Sequence, residues 1–189
     1  MSQKTGFDFP FAKARDIRML ILDVDGVMTD GSIIMDKNGD ELKAFNVRDG
    51  HGIKLLQRIG VKIAIITGRT SPVVEARAND LGIDFVTQKS LNKDEALAAL
   101  EVKSGIAAQQ CAMMGDDIID LPPMYRCGLT LAPADACLAV LNHVDWVSDH
   151  PGGRGAIRQA AEGIILAQDG WNDVMDRYQV TPADSGWGV

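Results

Sequence analysis

Short apolar runs alternate with amphipathic segments along most of this chain. The six runs cover residues 19–22, 61–66, 85–86, 111–114, 129–131 and 144–147. Runs of that length and apolarity are typical of strands buried on both faces, and strands that alternate with helices form parallel sheets. The pattern predicts an α/β fold, namely a doubly wound, Rossmann-like parallel sheet with helices on both faces. Ligands of such folds bind beyond the carboxyl ends of the strands.

Helix boundaries are marked by residues that favour each end of a helix. Ser71 followed by Pro72 predicts the start of a helix, and Gly82 predicts its end. Asn92 with Glu95 three residues later resembles a capping box, which predicts a second helix start. These helices would connect successive strands of the sheet.

One segment, residues 31–47, departs from the alternation of strand and helix. It carries two strand-like runs, residues 32–36 and 41–47, joined through Asn38-Gly39. That dipeptide favours a type I′ hairpin turn. We therefore expect a small β-hairpin insertion directly after the first strand and no large cap domain.

The length of 189 residues and a hydrophobic content of 46% fit one compact domain. The expected organisation is a single domain over 1–189, with a core at about 16–168, a hairpin flap at about 31–47 and a C-terminal tail at 169–189. The tail carries Trp171, Tyr178 and Trp187 without helical or strand periodicity. It is predicted either to be disordered alone or to pack on a neighbouring subunit.

Charge and cysteine content exclude several classes of partner. The formal net charge is −7 and the Lys and Arg residues are scattered, so we expect no nucleic-acid partner. Cys111, Cys127 and Cys137 lack the paired spacing of a zinc or redox site and are interpreted as small buried groups. Residues 1–14 do not resemble a signal peptide and no stretch approaches a membrane span, which predicts a cytoplasmic protein with no membrane partner.

Two acids follow the first apolar run, in Asp23-Val24-Asp25-Gly26. The two-residue period of a strand would send both carboxylates to the same side, where they repel each other unless a cation or a proton joins them. A bound divalent metal explains the pair, and Gly26 would let the chain turn away from the sheet. The alternative is that a strand simply ends in polar residues.

Two further motifs follow later strands. Thr67-Gly68-Arg69 ends the second run with a hydroxyl, a flexible backbone and a guanidinium that together can grip a phosphoryl group. Lys93 lies at an expected helix start, where a cation gains nothing from the helix dipole, so it is a candidate counter-charge for the acids. The alternatives are an ordinary strand end with a solvated arginine, and a solvated surface lysine.

More acid follows the fourth run, in Gly115-Asp116-Asp117-Ile118-Ile119-Asp120. Asp116 and Asp120 would share one face if a helix began there. Carboxylate oxygens without Cys or His at ligand spacing favour Mg²⁺ over zinc. Acids at a helix start are also ordinary caps, which is the alternative reading of this motif alone.

The four motifs in this order resemble those of the haloacid dehalogenase superfamily: Asp-x-Asp, then Thr, then Lys before a helix, then Gly-Asp-Asp-x-x-Asp. The similarity extends from about residue 18 to 168, with the hairpin in place of a large cap. It is greatest to the small tetrameric sugar-acid phosphatases, through segments 25–31, 45–52 and 152–158. The implied fold is the haloacid dehalogenase type of doubly wound sheet, and the implied partners are a sugar-acid phosphate and three further copies of the chain.

The resemblance implies a role for each motif residue. Asp23 would be the nucleophile and Asp25 the general acid and base. Mg²⁺ would be held by Asp23, Asp116 and the backbone carbonyl of Asp25. Thr67 would hold phosphoryl oxygens and Lys93 would orient Asp23. The two remaining acids, expected to support the metal from behind its ligands, are Asp117 and Asp120.

Candidate substrate-binding residues come from the same comparison. Arg48, Arg69 and Arg154 could bind the substrate carboxylate or hydroxyls, beside Thr67, Gly68 and Lys93. Arg69 stands where the related nonulosonate phosphatases tend to have Glu. The glycines around Arg154 permit close backbone approach, or they form a plain loop.

Two rival classes are less consistent with the motifs. A signalling receiver domain would have its phospho-accepting Asp after the third strand, where this chain has Lys93, and an inactive interaction module would not need Asp23, Asp25, Lys93 and Asp116 together.

Overall fold

A six-stranded parallel sheet forms the centre of the protein, in a computed structural model that describes residues 8–180. The strands are β1 Met19–Leu22, β2 Ile34–Met35, β3 Glu41–Leu42, β4 Lys62–Ile66, β5 Phe85–Thr87, β6 Cys111–Met114, β7 Leu129–Ala132 and β8 Trp146–Val147. The α-helices are α1 Phe11–Ala14, α2 Val47–Arg58, α3 Pro72–Leu81, α4 Lys93–Ser104, α5 Leu121–Met124, α6 Leu138–Leu141, α7 Ala156–Ala167 and α8 Trp171–Asp176. No helix in this described part is long and apolar enough to cross a membrane.

The order of strands in the large sheet is β5-β4-β1-β6-β7-β8, so the chain reverses its direction of winding at β1. Strand β1 pairs in parallel with β4 and β6, and Leu22 lies opposite both Ile65 and Met114. The ends of these three strands therefore meet at one edge of the sheet. Folds of this class bind their ligands at this reversal point.

Alternate residues of β1 face opposite cores, as the two-residue period of a strand requires. Leu20 and Leu22 belong to the cluster that contains residues of α2, α3 and α7. Met19 and Ile21 belong to the cluster that contains residues of α4, α5 and α6. All four residues of β1 are buried, which confirms the predicted parallel sheet covered on both faces.

The inserted hairpin is present, but its strands are shorter than predicted and its turn is of another type. β2 and β3 pair antiparallel over two residues each, with Met35 opposite Glu41. Asp36 and Asp40 then close a three-residue loop, because the amide of Asp36 donates to the carbonyl of Asp40 at 2.9 Å. A type I′ turn needs positive φ at both central residues, whereas here only Gly39 has it, at 87°.

The predicted helix ends at Ser71-Pro72, Gly82 and Asn92 are confirmed. Gly82 adopts a left-handed conformation with φ 61°, and the Asn92 side chain accepts a hydrogen bond from the amide of Glu95 at 3.3 Å. The helix expected to begin at Asp116 begins later, after a 3₁₀ turn over Ile118–Asp120.

Part of the predicted tail, up to residue 180, lies within the described residues. Helix α8 lies within that tail, and the hydroxyl of Tyr178 contacts Nε2 of His51 at 2.8 Å. The rest of the tail, including Trp187, lies outside the described residues. Assignment of the whole chain to one domain stays a prediction.

Candidate active site

Three carboxylates converge at the edge of the sheet where β1 and β6 end. Asp23 follows β1 directly, Asp116 follows β6, and Asp120 closes the 3₁₀ turn after it. One oxygen from each lies within 4.8 Å of the others. The topology produces this convergence because parallel neighbouring strands end at the same edge.

Lys93, the first residue of α4, lies among these acids. Its Nζ is 2.9 Å from Oδ1 of Asp23 and 2.6 Å from Oδ1 of Asp120, and the residue is only 2% exposed. Burial disfavours the ammonium, but the two carboxylates outweigh that effect and raise the pKa of Lys93. The expected proximity of Lys93 to Asp23 is thus present in the fold.

Asp120 is fully buried and both of its oxygens are engaged. Oδ1 accepts from Lys93, and Oδ2 accepts from the backbone amides of Asp116 at 3.1 Å and Asp117 at 3.3 Å. This carboxylate therefore holds the lysine and the loop after β6, and its expected support of a metal from behind the ligands stays a prediction. The side chain of Asp117 is exposed and accepts from the amide of Ile118 at 2.7 Å.

Asp23 and Asp116 have oxygens whose hydrogen-bonding capacity is unused. Among the described residues, no hydrogen-bond donor meets the buried Oδ1 of Asp116. Oδ1 of Asp23 has Lys93 at ion-pair distance but no aligned hydrogen bond. Burial raises the pKa of Asp23 to about 6, with the charge of Asp120 adding to the effect while Lys93 opposes it. Burial, together with the charges of Asp23 and Asp120, raises the pKa of Asp116 to about 7.

These observations fit a divalent cation between Asp23 and Asp116. A cation would supply the charge that the orphaned oxygens lack, and hard carboxylate oxygens suit Mg²⁺ and similar ions. Gly26 lets Asp116 come this close, because a side chain at residue 26 would overlap its carboxylate. Gly26 also has φ 88°, a conformation that favours glycine.

Asp25 is not among the three converging acids, and the expectation that its carboxylate shares one side with Asp23 stays a prediction. The strand ends at Leu22 and the chain turns at once, with the amide of Met28 bonded to the carbonyl of Val24 at 2.9 Å. The regular strand therefore ends before Asp25, so the period of a strand does not by itself fix the direction of this side chain. Its expected contribution of a backbone carbonyl to a metal stays a prediction.

The carboxylate of Asp25 contacts a side chain of the hairpin. The ammonium of Lys43 donates a hydrogen bond to its Oδ1, and Nε of Arg69 lies 3.9 Å from its Oδ2. Glu41 bridges the two cations, with Oε1 at 3.3 Å from Nζ of Lys43 and 2.6 Å from Nη2 of Arg69. Glu41 and Lys43 were not singled out from the sequence. The available signal was their two-residue spacing, which places side chains of an extended chain on the same side.

Thr67-Gly68-Arg69 follows β4, next to the loop after β1, as predicted. Thr67 is buried, its amide donates to the carbonyl of Thr87 at 2.9 Å, and its carbonyl accepts from the amide of Ser90 at 3.0 Å. These bonds tie the loop after β4 to the segment that leads to Lys93. Gly68 is half-buried and Arg69 is exposed.

The loop over residues 152–155 packs against the loop after β1. The amide of Gly153 donates to the carbonyl of Val27 at 2.9 Å, and a side chain at Gly152 would overlap the carbonyl of Gly26. The glycines therefore serve a close approach of two backbones. Arg154 is exposed and pairs with Asp30 at 3.2 Å.

Two other groups of side chains lie apart from this chemistry. Arg48 is exposed in the first turn of α2, where its amide donates to Oδ1 of Asn46 at 2.8 Å. Neither Arg48 nor Arg154 contacts the three converging acids within the described part of the chain, so substrate roles for them stay predictions.

The cysteines are free thiols; Cys111 is buried, and Cys127 and Cys137 are half-buried.

Comparison with known proteins agrees with this geometry. The family model of haloacid dehalogenase-like hydrolases matches residues 39–128. The 3-deoxy-D-manno-octulosonate 8-phosphate phosphatase of Escherichia coli K12 is 48% identical over 157 residues, which are 83% of this chain and 84% of the relative.

Solved structures give the same result. The crystal structure of 3-deoxy-D-manno-octulosonate 8-phosphate phosphatase from Yersinia pestis is 46% identical, with a TM-score of 0.83 over 85% of this chain and 86% of that one. The enzyme of that name from Moraxella catarrhalis, in complex with magnesium ion, phosphate ion and a KDO molecule, is 37% identical, with a TM-score of 0.86 over 89% and 97%. The chain belongs to the haloacid dehalogenase-like hydrolase family.

Proposed function

We propose that this protein is a magnesium-dependent phosphatase that hydrolyses 3-deoxy-D-manno-octulosonate 8-phosphate to the free sugar acid and phosphate, a step in the synthesis of lipopolysaccharide precursor. The observation that carries the proposal is the buried Asp23, which lies beside both the Lys93 ammonium and the unpartnered oxygen of Asp116. Relatives that share about half of its residues bear the name of that activity. Arg69, in place of Glu, favours this substrate over a nonulosonate 9-phosphate.

The metal would be held by Asp23, Asp116 and the backbone carbonyl of Asp25. A divalent cation there supplies positive charge that offsets the repulsion between a carboxylate nucleophile and a phosphate dianion. Lys93 adds a second positive charge and orients Asp23, because its ammonium lies 2.9 Å from that carboxylate. Asp120 holds Lys93, and Asp117 would support the loop that carries Asp116.

Two half-reactions follow from this placement. In the first, a carboxylate oxygen of Asp23 bonds to phosphorus, the bond from phosphorus to the sugar oxygen breaks, and that oxygen takes a proton from Asp25. In the second, Asp25 takes a proton from water as the water oxygen attacks phosphorus and releases Asp23. Asp25 suits both steps because its carboxylate lies two residues after Asp23 and is held by Lys43 of the hairpin.

Substrate recognition is assigned to groups around the mouth of this edge. Thr67, Gly68 and Lys93 would contact the phosphoryl group, since Thr67 follows β4, the neighbour of β1, and Nζ of Lys93 lies 2.9 Å from Asp23. The guanidinium groups of Arg48, Arg69 and Arg154 would bind the carboxylate or hydroxyls of the sugar acid. Arg69 has the strongest support, because it lies 3.9 Å from Asp25.

The test is phosphate release from a panel of sugar phosphates with Mg²⁺, for the native chain and for Asp23→Asn. We expect turnover of 3-deoxy-D-manno-octulosonate 8-phosphate to exceed that of a nonulosonate 9-phosphate, to stop with a chelator and to be lost in the variant. Asp16→Asn, a change at an exposed acid away from the site, is the matched control. Equal turnover by native protein and Asp23→Asn would reject the nucleophile, and absence of turnover by the native chain would favour an inactive interaction module.

We further propose a cytoplasmic homotetramer in which hairpins meet at the centre. Large apolar side chains of the hairpin are exposed in the single chain, among them Ile34 at 46%, Met35 at 60% and Leu42 at 54%. Burial of such a patch between copies would be favourable. Light scattering is expected to give the mass of four chains; an active monomer would contradict the proposal.

A further inference from the structure

We propose that Lys43, on the hairpin, is a positioning residue that holds the carboxylate of Asp25 for proton transfer to the leaving group. This inference rests on the proposed phosphatase function, because it assigns a partner to the residue that handles the proton. If so, the hairpin contributes to catalysis through Lys43, in addition to any role in covering the site.

The contact itself is specific. The Lys43 ammonium donates a hydrogen bond to Oδ1 of Asp25, although the two residues are 18 positions apart in sequence. Within residues 8–180, no other side chain donates a hydrogen bond to this carboxylate. Lys43 therefore decides which way the Asp25 carboxylate points.

Burial distinguishes Lys43 from an ordinary surface lysine. Its side chain is 2% exposed, whereas Lys13 and Lys62, which also pair with acids, are each 54% exposed. Removing an ammonium from water costs free energy unless carboxylates compensate its charge. Elsewhere on a surface hairpin a lysine could keep its ammonium hydrated. The residues just before it in the hairpin, 31–40, are all exposed.

Glu41 extends the contact into a closed ring of charges. It accepts from Arg69 and lies 3.3 Å from Lys43, while Arg69 and Lys43 both face Asp25. The ring ties the second hairpin strand to the loops after β1 and β4. A shift of the hairpin would therefore change the orientation of Asp25, and a change in the orientation of Asp25 would shift the hairpin.

The position of the hydrogen bond matters for the chemistry. Lys43 occupies Oδ1, whereas Oδ2 accepts no hydrogen bond from the described residues. In the protonated acid, Oδ1 is then the carbonyl oxygen that accepts from the ammonium, and the proton lies on Oδ2. This arrangement keeps the transferable proton on the free oxygen.

Leaving groups of different basicity separate positioning from general damage. A sugar alcohol leaves poorly unless its oxygen is protonated, so its departure depends on Asp25. p-Nitrophenolate and acetate leave as stable anions without a proton. The base role of Asp25 in the second half-reaction is common to all substrates, whereas kcat/KM covers only the steps up to departure of the leaving group. Loss of correct positioning should therefore lower kcat/KM for the sugar-acid phosphate and leave kcat/KM for p-nitrophenyl phosphate or acetyl phosphate nearly unchanged.

The experiment compares Lys43→Met, Asp25→Asn and the double variant on both kinds of substrate at saturating Mg²⁺. For the sugar-acid phosphate we expect Lys43→Met to lower kcat/KM about 100-fold, a size typical of a displaced acid catalyst. For the activated phosphates we expect less than about a threefold change in kcat/KM. Because Lys43 acts through Asp25, the double variant should be no slower than Asp25→Asn on the sugar-acid phosphate.

Matched variants complete the design. Lys37→Met removes an exposed hairpin lysine and should leave both activities at the native level. Lys43→Arg keeps the cationic donor and should restore part of the preference for the sugar-acid phosphate. If Lys43→Met does not fold, as judged by circular dichroism, Lys43→Gln replaces it with the same expected direction.

Two outcomes would overturn the inference while native turnover remains: an equal loss of kcat/KM on both kinds of substrate, or losses of kcat/KM that multiply in the double variant. Native protein that hydrolyses none of these phosphates would instead reject the proposed function itself. The readouts therefore distinguish failure of the role of Lys43 from failure of the activity.

Discussion

The carboxylate of Asp49, on helix α2, accepts a hydrogen bond from the backbone amide of Arg158 at 2.8 Å, in the first turn of helix α7. Its other oxygen accepts from the amide of Gly155 at 3.1 Å. Asp49 is buried, and Gly155, the residue at the N-cap position of α7, has no side chain to cap its own helix. One helix thus caps another, and the cap fixes the loop over residues 152–155 that packs against the catalytic edge.

Loss of this cap should destabilise the fold. Asp49→Ala leaves two amides without their acceptor, and we expect the free energy of unfolding to fall by about 1–3 kcal/mol. Asp49→Asn, which keeps one carbonyl acceptor, should lose less. Urea denaturation measures both, and Asp16→Ala, at an exposed position, serves as control. A change in Asp49→Ala no larger than in Asp16→Ala would show that the cap contributes nothing.

The pair of Lys93 and Asp120 leads to a second prediction about stability. Asp120→Ala would leave the buried ammonium with Asp23 alone and would leave the amides of Asp116 and Asp117 without an acceptor. Breaking one side of a buried pair is strongly destabilising, so we expect a loss of about 3–5 kcal/mol, with phosphatase activity abolished.

Asp117→Ala is the graded control for that measurement. This neighbouring side chain is exposed and accepts from one local amide, so we expect a loss of about 1 kcal/mol or less. Denaturation curves recorded in the same buffer give the free energies of unfolding of the two variants for comparison. Similar losses for both variants would contradict the central role of Asp120.

Metal-free protein should become less stable as pH rises. The folded pKa values of Asp23 and Asp116 are raised to about 6 and about 7, above the usual value of 3.8. The folded state then binds more protons than the unfolded state between about pH 4 and pH 7, and the free energy of unfolding falls by about 1–2 kcal/mol per pH unit. Saturating Mg²⁺ should abolish the fall, because the cation favours ionised carboxylates.

Denaturation with a chelator and with Mg²⁺, at several pH values in that window, tests this dependence. Asp116→Asn should keep only the part of the slope that comes from Asp23. A metal-free stability that stays level or rises over the window would contradict the raised pKa values. So would an Asp116→Asn profile equal to that of the native chain.

The positions of four site residues followed from the sequence because they depend on strand ends. Asp23, Thr67, Lys93 and Asp116 each follow, directly or through a short loop, an apolar run that was recognisable alone. Parallel strands end at one edge, so sequence order was enough to bring these residues together. No contact between distant side chains had to be foreseen.

Contacts of the hairpin could not be predicted in the same way. The pairing of Lys43 with Asp25 depends on how the hairpin folds back over the sheet, which no local pattern encodes. The two-residue rule also cannot fix the direction of the Asp25 side chain, because the strand ends at Leu22. In the turn, the side chain of Asp36 accepts from the amides of Asn38 at 2.8 Å and Asp40 at 2.9 Å. This local bonding favours a three-residue loop over the turn predicted from Asn38-Gly39.

Gly152 provides a test of how closely the site depends on backbone packing. A methyl group at this buried position would overlap the carbonyl of Gly26, so Gly152→Ala must push the loop after β1 away from the loop that carries residues 152–155. Because Asp23 and Asp25 lie in the loop after β1, we expect kcat for the sugar-acid phosphate to fall at least tenfold, in addition to a loss of stability of about 1–3 kcal/mol.

Gly105→Ala is the matched control, since Gly105 has φ 69° and no atom within 4 Å of an added methyl group. Its variant should lose about 1 kcal/mol of stability through backbone strain and retain native kcat, because it caps helix α4 at the end opposite Lys93. Equal kcat in the two variants would mean that the catalytic loop tolerates displacement. It would contradict the claim that close packing of the glycine backbones positions this site.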